Sequence, residues 1–247
     1  STRLEIRPNN HLPIMKLPLL PIGMLCLFAV STPTTSAAVV FYGGDFDGRS
    51  NVTSEQNTFS PFSTMCYDDV ALASTTTVTG LWGNFLVSGA YIPSSAYFEI
   101  RTGMAPGNGG TLVESGTFSV SATSTGRTLS TMSEYQLSGA ASFSLNAGTY
   151  WLGIAAIGNG TGQLFATTTS GTNLGPSGDP NPSPVGGPLA NGNSLLFTEV
   201  GPMTFDYISL ESLLGAGSYD VSYGITADAV PEPTVAALGL AALGAHC

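Results

Sequence analysis

Positive charge is scarce in this chain. Its basic residues are Arg3, Arg7, Lys16, Arg49, Arg101 and Arg127, against 16 acidic ones, for a formal net charge of -10. No lysine follows position 16. Such a surface repels phosphate backbones, which excludes a nucleic-acid partner. It tolerates cations, neutral glycans and water. Histidine is as rare: His11 and His246 lie near the ends, so the middle of the chain has none. Without histidine or lysine there, Ser-His-Asp, Cys-His and histidine-ligated zinc sites are excluded within that middle stretch. The three cysteines, Cys26, Cys66 and Cys247, stand too far apart in sequence to suggest a disulfide framework or a zinc site. Cys66 is expected to be a small buried hydrophobe.

What the chain does have is β-structure chemistry. Charged residues make up 9%, while Gly, Ser, Thr and Asn are abundant, and regular aromatic and β-branched runs argue against disorder. "AYFEIR" alternates Ala96, Phe98 and Ile100 against Tyr97, Glu99 and Arg101, so one face is buried and the other wet. Phe118 and Val120, Tyr135 and Leu137, and Phe143 and Leu145 repeat the pattern. Tyr219, Val221, Tyr223 and Ile225 are expected on one side of a late strand. "TYWLGIAAI" is apolar almost throughout, which predicts a central strand covered on both faces, with Trp151 in the core. Turn clusters such as "GMAPGNGG" and "IGNGTG" separate the strands. No window of a dozen residues carries a helical stripe. The fold class expected is all-β: a single antiparallel β-sandwich, jelly-roll-like, over residues 39–229. A Gly/Pro/Asn-rich loop over 170–194 interrupts it.

Both ends carry sorting chemistry. "MKLPLLPIGMLCLFAVSTPTTSAA" has the charged start, apolar core and small-residue cleavage site of a secretory signal peptide. Residues 1–38 are expected to be leader and signal, with Met15 as initiator and cleavage after Ala38. The apolar run is too short, and too broken by prolines, for a stable membrane span. At the other end, residues 230–247 open with Val230, Pro231, Glu232 and Pro233 and continue as "TVAALGLAALGA".

This tail resembles the PEP-CTERM sorting signal of exported bacterial proteins, a Pro-Glu-Pro motif before a membrane helix and a basic cluster. The blocks "FYGGDFDGR", "CYDDVAL", "VTGLWGNFL", "AYFEIRTGM" and "AGTYWLGIA" are similar to the β-sandwich domains such proteins often carry. The resemblance implies an exosortase-type processing enzyme as partner. It also implies only transient membrane contact through the tail, and delivery to the cell envelope, surface or extracellular matrix. The apolar run, about 18 Å long as a helix, is shorter than a bilayer core of about 30 Å, and no arginine follows Pro233. Either the chain continues beyond Cys247 or the signal has decayed, and the expectation is that it continues.

Candidate site residues are few. Asp45, Asp47 and Asn51 in "GGDFDGRSN" supply oxygens suited to a structural calcium, completed by Asp68 or Asp69, although EF-hand spacing does not fit. The competing reading is a solvated turn whose Asp side chains cap their own backbone. Tyr97, Tyr91 and Trp82 are candidates for stacking on a sugar. Glu99, Glu114 and Glu134, or the Asp68–Asp69 pair, leave a carboxylate-dependent glycoside hydrolase open. No catalytic residue is assigned. The expectation is a non-catalytic envelope or matrix protein, structural or adhesive in association with exopolysaccharide or a cell-surface glycan. The alternative is a carbohydrate-binding module, with or without calcium. The hydrolase is the third reading.

Overall fold

β-Branched and aromatic residues alternating with Ser, Thr and Gly give most segments one apolar face, which favours pleated strands over helices. The computed structural model describes residues 37–57, 64–171, 183–188, 191–200, 203–217 and 219–228. The leader up to position 36 with Met15, the central part of the 170–194 loop, and the Val230–Pro233 tail lie outside the described residues.

The chain begins with β1 (Ala37–Tyr42), β2 (Phe46–Thr53), β3 (Glu55–Asn57) and β4 (Thr64–Leu72). Next come β5 (Thr76–Val87), β6 (Ser95–Thr102), β7 (Thr111–Ser119), β8 (Ser121–Leu129) and β9 (Met132–Leu145). It continues through β10 (Gly148–Gly158), β11 (Leu164–Thr169), β12 (Leu195–Val200) and β13 (Met203–Ser209). β14 (Asp220–Val221) and β15 (Tyr223–Asp228) close it. A five-residue helix, α1 (Leu210–Leu214), starts where the Ser209 hydroxyl accepts from the Ser212 amide. It is too short to leave a helical stripe in the sequence. Among the described residues no helix is long and apolar enough to cross a membrane.

The strands form two sheets packed as an all-β sandwich. In the first, β5 pairs with β9 along one edge and with β15, then β11, along the other. β8, β1, β2 and β14 extend this sheet outward. The second sheet runs β13-β12-β4-β10-β6-β7. β3 joins the far end of β10 in parallel.

The core lies between the sheets. Leu81, Phe85 and Val87 of β5 and Tyr223 and Ile225 of β15 share one cluster with Phe98 and Ile100 of β6 and Leu152 and Ile154 of β10. Phe98 stacks on Phe143 at 5.3 Å. Cys66 is fully buried here, and burial pushes its thiol far up. One polar staple crosses the core: the Tyr223 phenol donates to the Ile154 carbonyl at 2.9 Å, and the Ser54 hydroxyl donates to the same oxygen at 2.7 Å.

β10 sits between β4 and β6, central as its unbroken apolar run predicts. β1 begins at Ala37, so Ala37 and Ala38 already pair with Asp228 and Ala227. The described parts of the 170–194 loop are tied to strands. Tyr42 and Val185 exchange two backbone hydrogen bonds, and the Ala71 amide donates to the Gly187 carbonyl.

Candidate functional site

Strand register turns three stretches of sequence into a grid on the outer face of the second sheet. Because side chains alternate along a strand, residues directly opposite one another share a face. Trp151 of β10 stands between Asp69 of β4 and Arg101 of β6. One step along, Gly153 lies between Tyr67 and Glu99. Tyr97 follows on β6, opposite Ala155. Met65, Tyr67, Met104, Ala155 and Leu195 form a small buried cluster beneath half-buried Tyr97, Trp151, Phe197 and Tyr207.

Glycine makes room at the centre. A Cβ on Gly153 would lie 2.6 Å from the Tyr67 ring and 2.5 Å from the Met65 sulfur, so Tyr67 lies over Gly153. The Tyr67 hydroxyl then reaches Glu99 at 2.8 Å. Tyr97 donates to the other Glu99 oxygen at 3.1 Å, and Arg101 Nε pairs with the first. Burial, and then the Glu99 charge, push the Tyr67 phenol well above its usual range, so it stays a proton donor.

The second wall comes from a bulge. The β12–β13 register shifts between Leu196 and Thr198, and Tyr207 on the opposing strand takes a left-handed φ of 53°. That conformation is strained for a bulky residue. The Tyr207 ring stacks on Phe197 at 4.9 Å and lies 6.0 Å from Tyr67. The "GMAPGNGG" turn clamps it: the Gly107 amide donates to the Tyr207 carbonyl, and a side chain at Gly109 would collide with the ring. Arg101 Nη1 donates to the Gly109 carbonyl at 2.9 Å, with its guanidinium over the Tyr67 and Tyr207 rings. No protein-family model matches this chain, and no curated protein matches it either.

The aromatic candidates fall out differently from the sequence reading. Tyr97 is on this outer face and half-buried. Tyr91 lies in the turn before β6 and donates to the Ile157 carbonyl at 3.3 Å. Trp82 is corrected: it is 5% exposed, on the outer face of the other sheet. Gly224 beneath its ring has no Cβ to obstruct it, and Tyr42 covers it at 5.7 Å. Trp151, expected in the core, is also corrected, because it faces outward beside Arg101. Tyr67 and Tyr207 were missed. Tyr67 carried a usable signal, since "MCYDD" puts it on the opposite face from buried Cys66.

The calcium candidates are not brought together. Asp45, fully buried, accepts from Tyr42 at 2.6 Å and pairs with Arg127 at 3.1 Å. Asp47 pairs with Arg49 and accepts from the Thr168 hydroxyl. Asn51 lies in β2 opposite Thr167. Asp68 accepts from Ser194 and the Val221 amide, whereas Asp69 accepts from Asn191. Among the described residues no group of three or more His, Cys, Asp or Glu is arranged to hold a metal ion.

Two acidic features are deeply buried. Glu134 is fully buried, bound by Thr125 at 2.6 Å and paired with Arg127, and burial raises its pKa. Asp68, Asp69 and Asp220 are all buried, and burial raises each pKa, Asp220 to about 6. Gly192, Asn191 and Ser194 donate to them, pinning the end of the 170–194 loop.

Proposed function

We propose that this protein is an exported, non-catalytic envelope or matrix protein that holds exopolysaccharide through the outer face of β4, β6 and β10. The observation that carries the reading is the half-buried set Tyr97, Trp151, Phe197 and Tyr207, fixed around the Glu99–Arg101 pair. Aromatic side chains with polar partners suit a sugar ring, whose C–H face is apolar and whose rim is hydroxyl. Rigid placement matters because it lowers the entropy lost on binding.

Export rests on the signal-like segment before Val39 and the Val230–Pro233 motif, through which an exosortase-type enzyme would process the chain. A positioning role for Glu99 is what its three donors, Tyr67, Tyr97 and Arg101, support. The test is affinity electrophoresis of the full chain in gels containing the host's own exopolysaccharide. Retardation that Trp151→Ala and Tyr97→Ala abolish supports the reading. Equal mobility with and without polymer sinks it.

A further inference from the structure

The hydrogen-bond polarity of the aromatic face carries one step more, and it rests on the glycan-binding reading above. We infer that the ligand is an uncharged, extended glycan, not a uronate-bearing or sulfated one.

Arg101 is the basic residue on this face, and an anionic sugar would need it. Its Nε is spent on Glu99 and its Nη1 on the Gly109 carbonyl. Its guanidinium carbon lies over the Tyr67 and Tyr207 rings, 6.0 and 5.8 Å from their centres. Arg101 and Glu99 cancel in charge, with side chains only 17% and 13% exposed. Asp69 stands two strands from Arg101 in the same row, beyond Trp151, where it is buried and accepts from Asn191. The other arginines of the domain are engaged elsewhere, Arg49 with Asp47 and Arg127 with Asp45 and Glu134.

The tyrosine hydroxyls complete the pattern. Tyr67 and Tyr97 both give their protons to Glu99; Tyr67 is buried, and the half-buried Tyr97 presents its oxygen as an acceptor. Sugar hydroxyls can donate to such an oxygen. Carboxylate and sulfate groups have no proton to give the Tyr97 oxygen. The length follows from register: Tyr97 lies opposite Ala155, four residues from Trp151, which is about 13 Å along the strand. That span exceeds a single sugar ring and suits an oligosaccharide segment.

The test is a titration of the full chain with a soluble β-glucan, an α-mannan and a galactan, and with alginate and dextran sulfate, at low and high salt. Saturable binding of at least one neutral polymer is expected, unaffected by salt and weakened about tenfold in Trp151→Ala. Glu99→Gln, which frees Arg101, is expected to gain salt-sensitive alginate binding; melting curves check that each variant is folded. Binding of alginate or dextran sulfate by the unmodified protein, fading with salt, overturns the uncharged class while leaving the aromatic face as a glycan site. No binding of any of the five polymers overturns both.

Discussion

The hydroxyl of Tyr67 donates to Glu99 across Gly153, at 2.8 Å, joining β4 to β6 over the strand between them. One carboxylate thereby fixes two tyrosines and an arginine. Substituting glutamine keeps the shape but replaces one charged acceptor oxygen with an amide. Glu99→Gln is expected to destabilise the fold by about 1–2 kcal/mol, read as a lower urea midpoint. An unchanged midpoint would show that the pair is ornamental to stability.

Across the core, Tyr223 and Ser54 share the Ile154 carbonyl. Tyr223→Phe preserves the ring, which also meets Phe85 at 6.3 Å, and removes the buried proton that the Ile154 and Cys66 carbonyls share. The expected loss is about 1 kcal/mol, because Ser54 still satisfies the carbonyl. The double variant with Ser54→Ala leaves that oxygen without either donor and should lose more than the two single losses added. Strict additivity in denaturation would contradict the shared acceptor.

Asp220 gives the fold a pH dependence of defined sign. Burial raises its pKa from 3.8 to about 6, with Asp69 adding to the effect. Between those values the folded state holds a proton that the unfolded chain releases. Its contribution is therefore fully present below about pH 4 and is lost as pH rises through 6, by about 3 kcal/mol at most. Asp68 and Asp69, also raised, act in the same direction. Melting temperature is expected to fall from pH 4.5 to pH 7, and Asp220→Asn to flatten that fall. A rise in stability over the same window would reverse the assignment.

Calcium is expected to leave the melting temperature unchanged, because Arg127 and Arg49 already compensate Asp45 and Asp47. Scans in excess calcium and in chelator decide this. A calcium-dependent rise that survives Asp45→Asn but not Asp69→Asn would place an ion at the 170–194 loop instead.

Much of the fold is legible in local pattern. Phe98 and Ile100 alternate against Tyr97 and Glu99 as half-buried strands must, and the unbroken run around Leu152 marks the centre of its sheet. The same unbroken run hides which side each residue takes, so Trp151, flanked by Tyr150 and Leu152, reads as core. Trp82 misleads for another reason. Its cover comes from Tyr42 and from the absence of a side chain at Gly224, residues far away in sequence. Tyr207 reaches the site through a bulge, which adds one residue to the strand and breaks the period-two rule. Glu134 gives no local hint, since its partner Arg127 is turned to it by a bulged β8 and is shared with Asp45 from the turn before β2.

That last trio yields the sharpest stability test. Asp45 and Glu134 are fully buried, and Arg127 spans them, at 3.1 Å from the first. Removing the cation strands two carboxylates in a dry environment, a change that costs about 3–5 kcal/mol in comparable buried pairs. Arg127→Ala is therefore expected to lose about 3–5 kcal/mol of stability at pH 7. Without Arg127, which holds the Glu134 pKa down against burial, the buried carboxyl binds its proton more tightly when folded than when unfolded. By linkage, the variant should recover as pH falls toward 5. Urea midpoints at both pH values provide the measurement. Equal losses at pH 5 and pH 7 would mean that Arg127 contributes packing rather than charge.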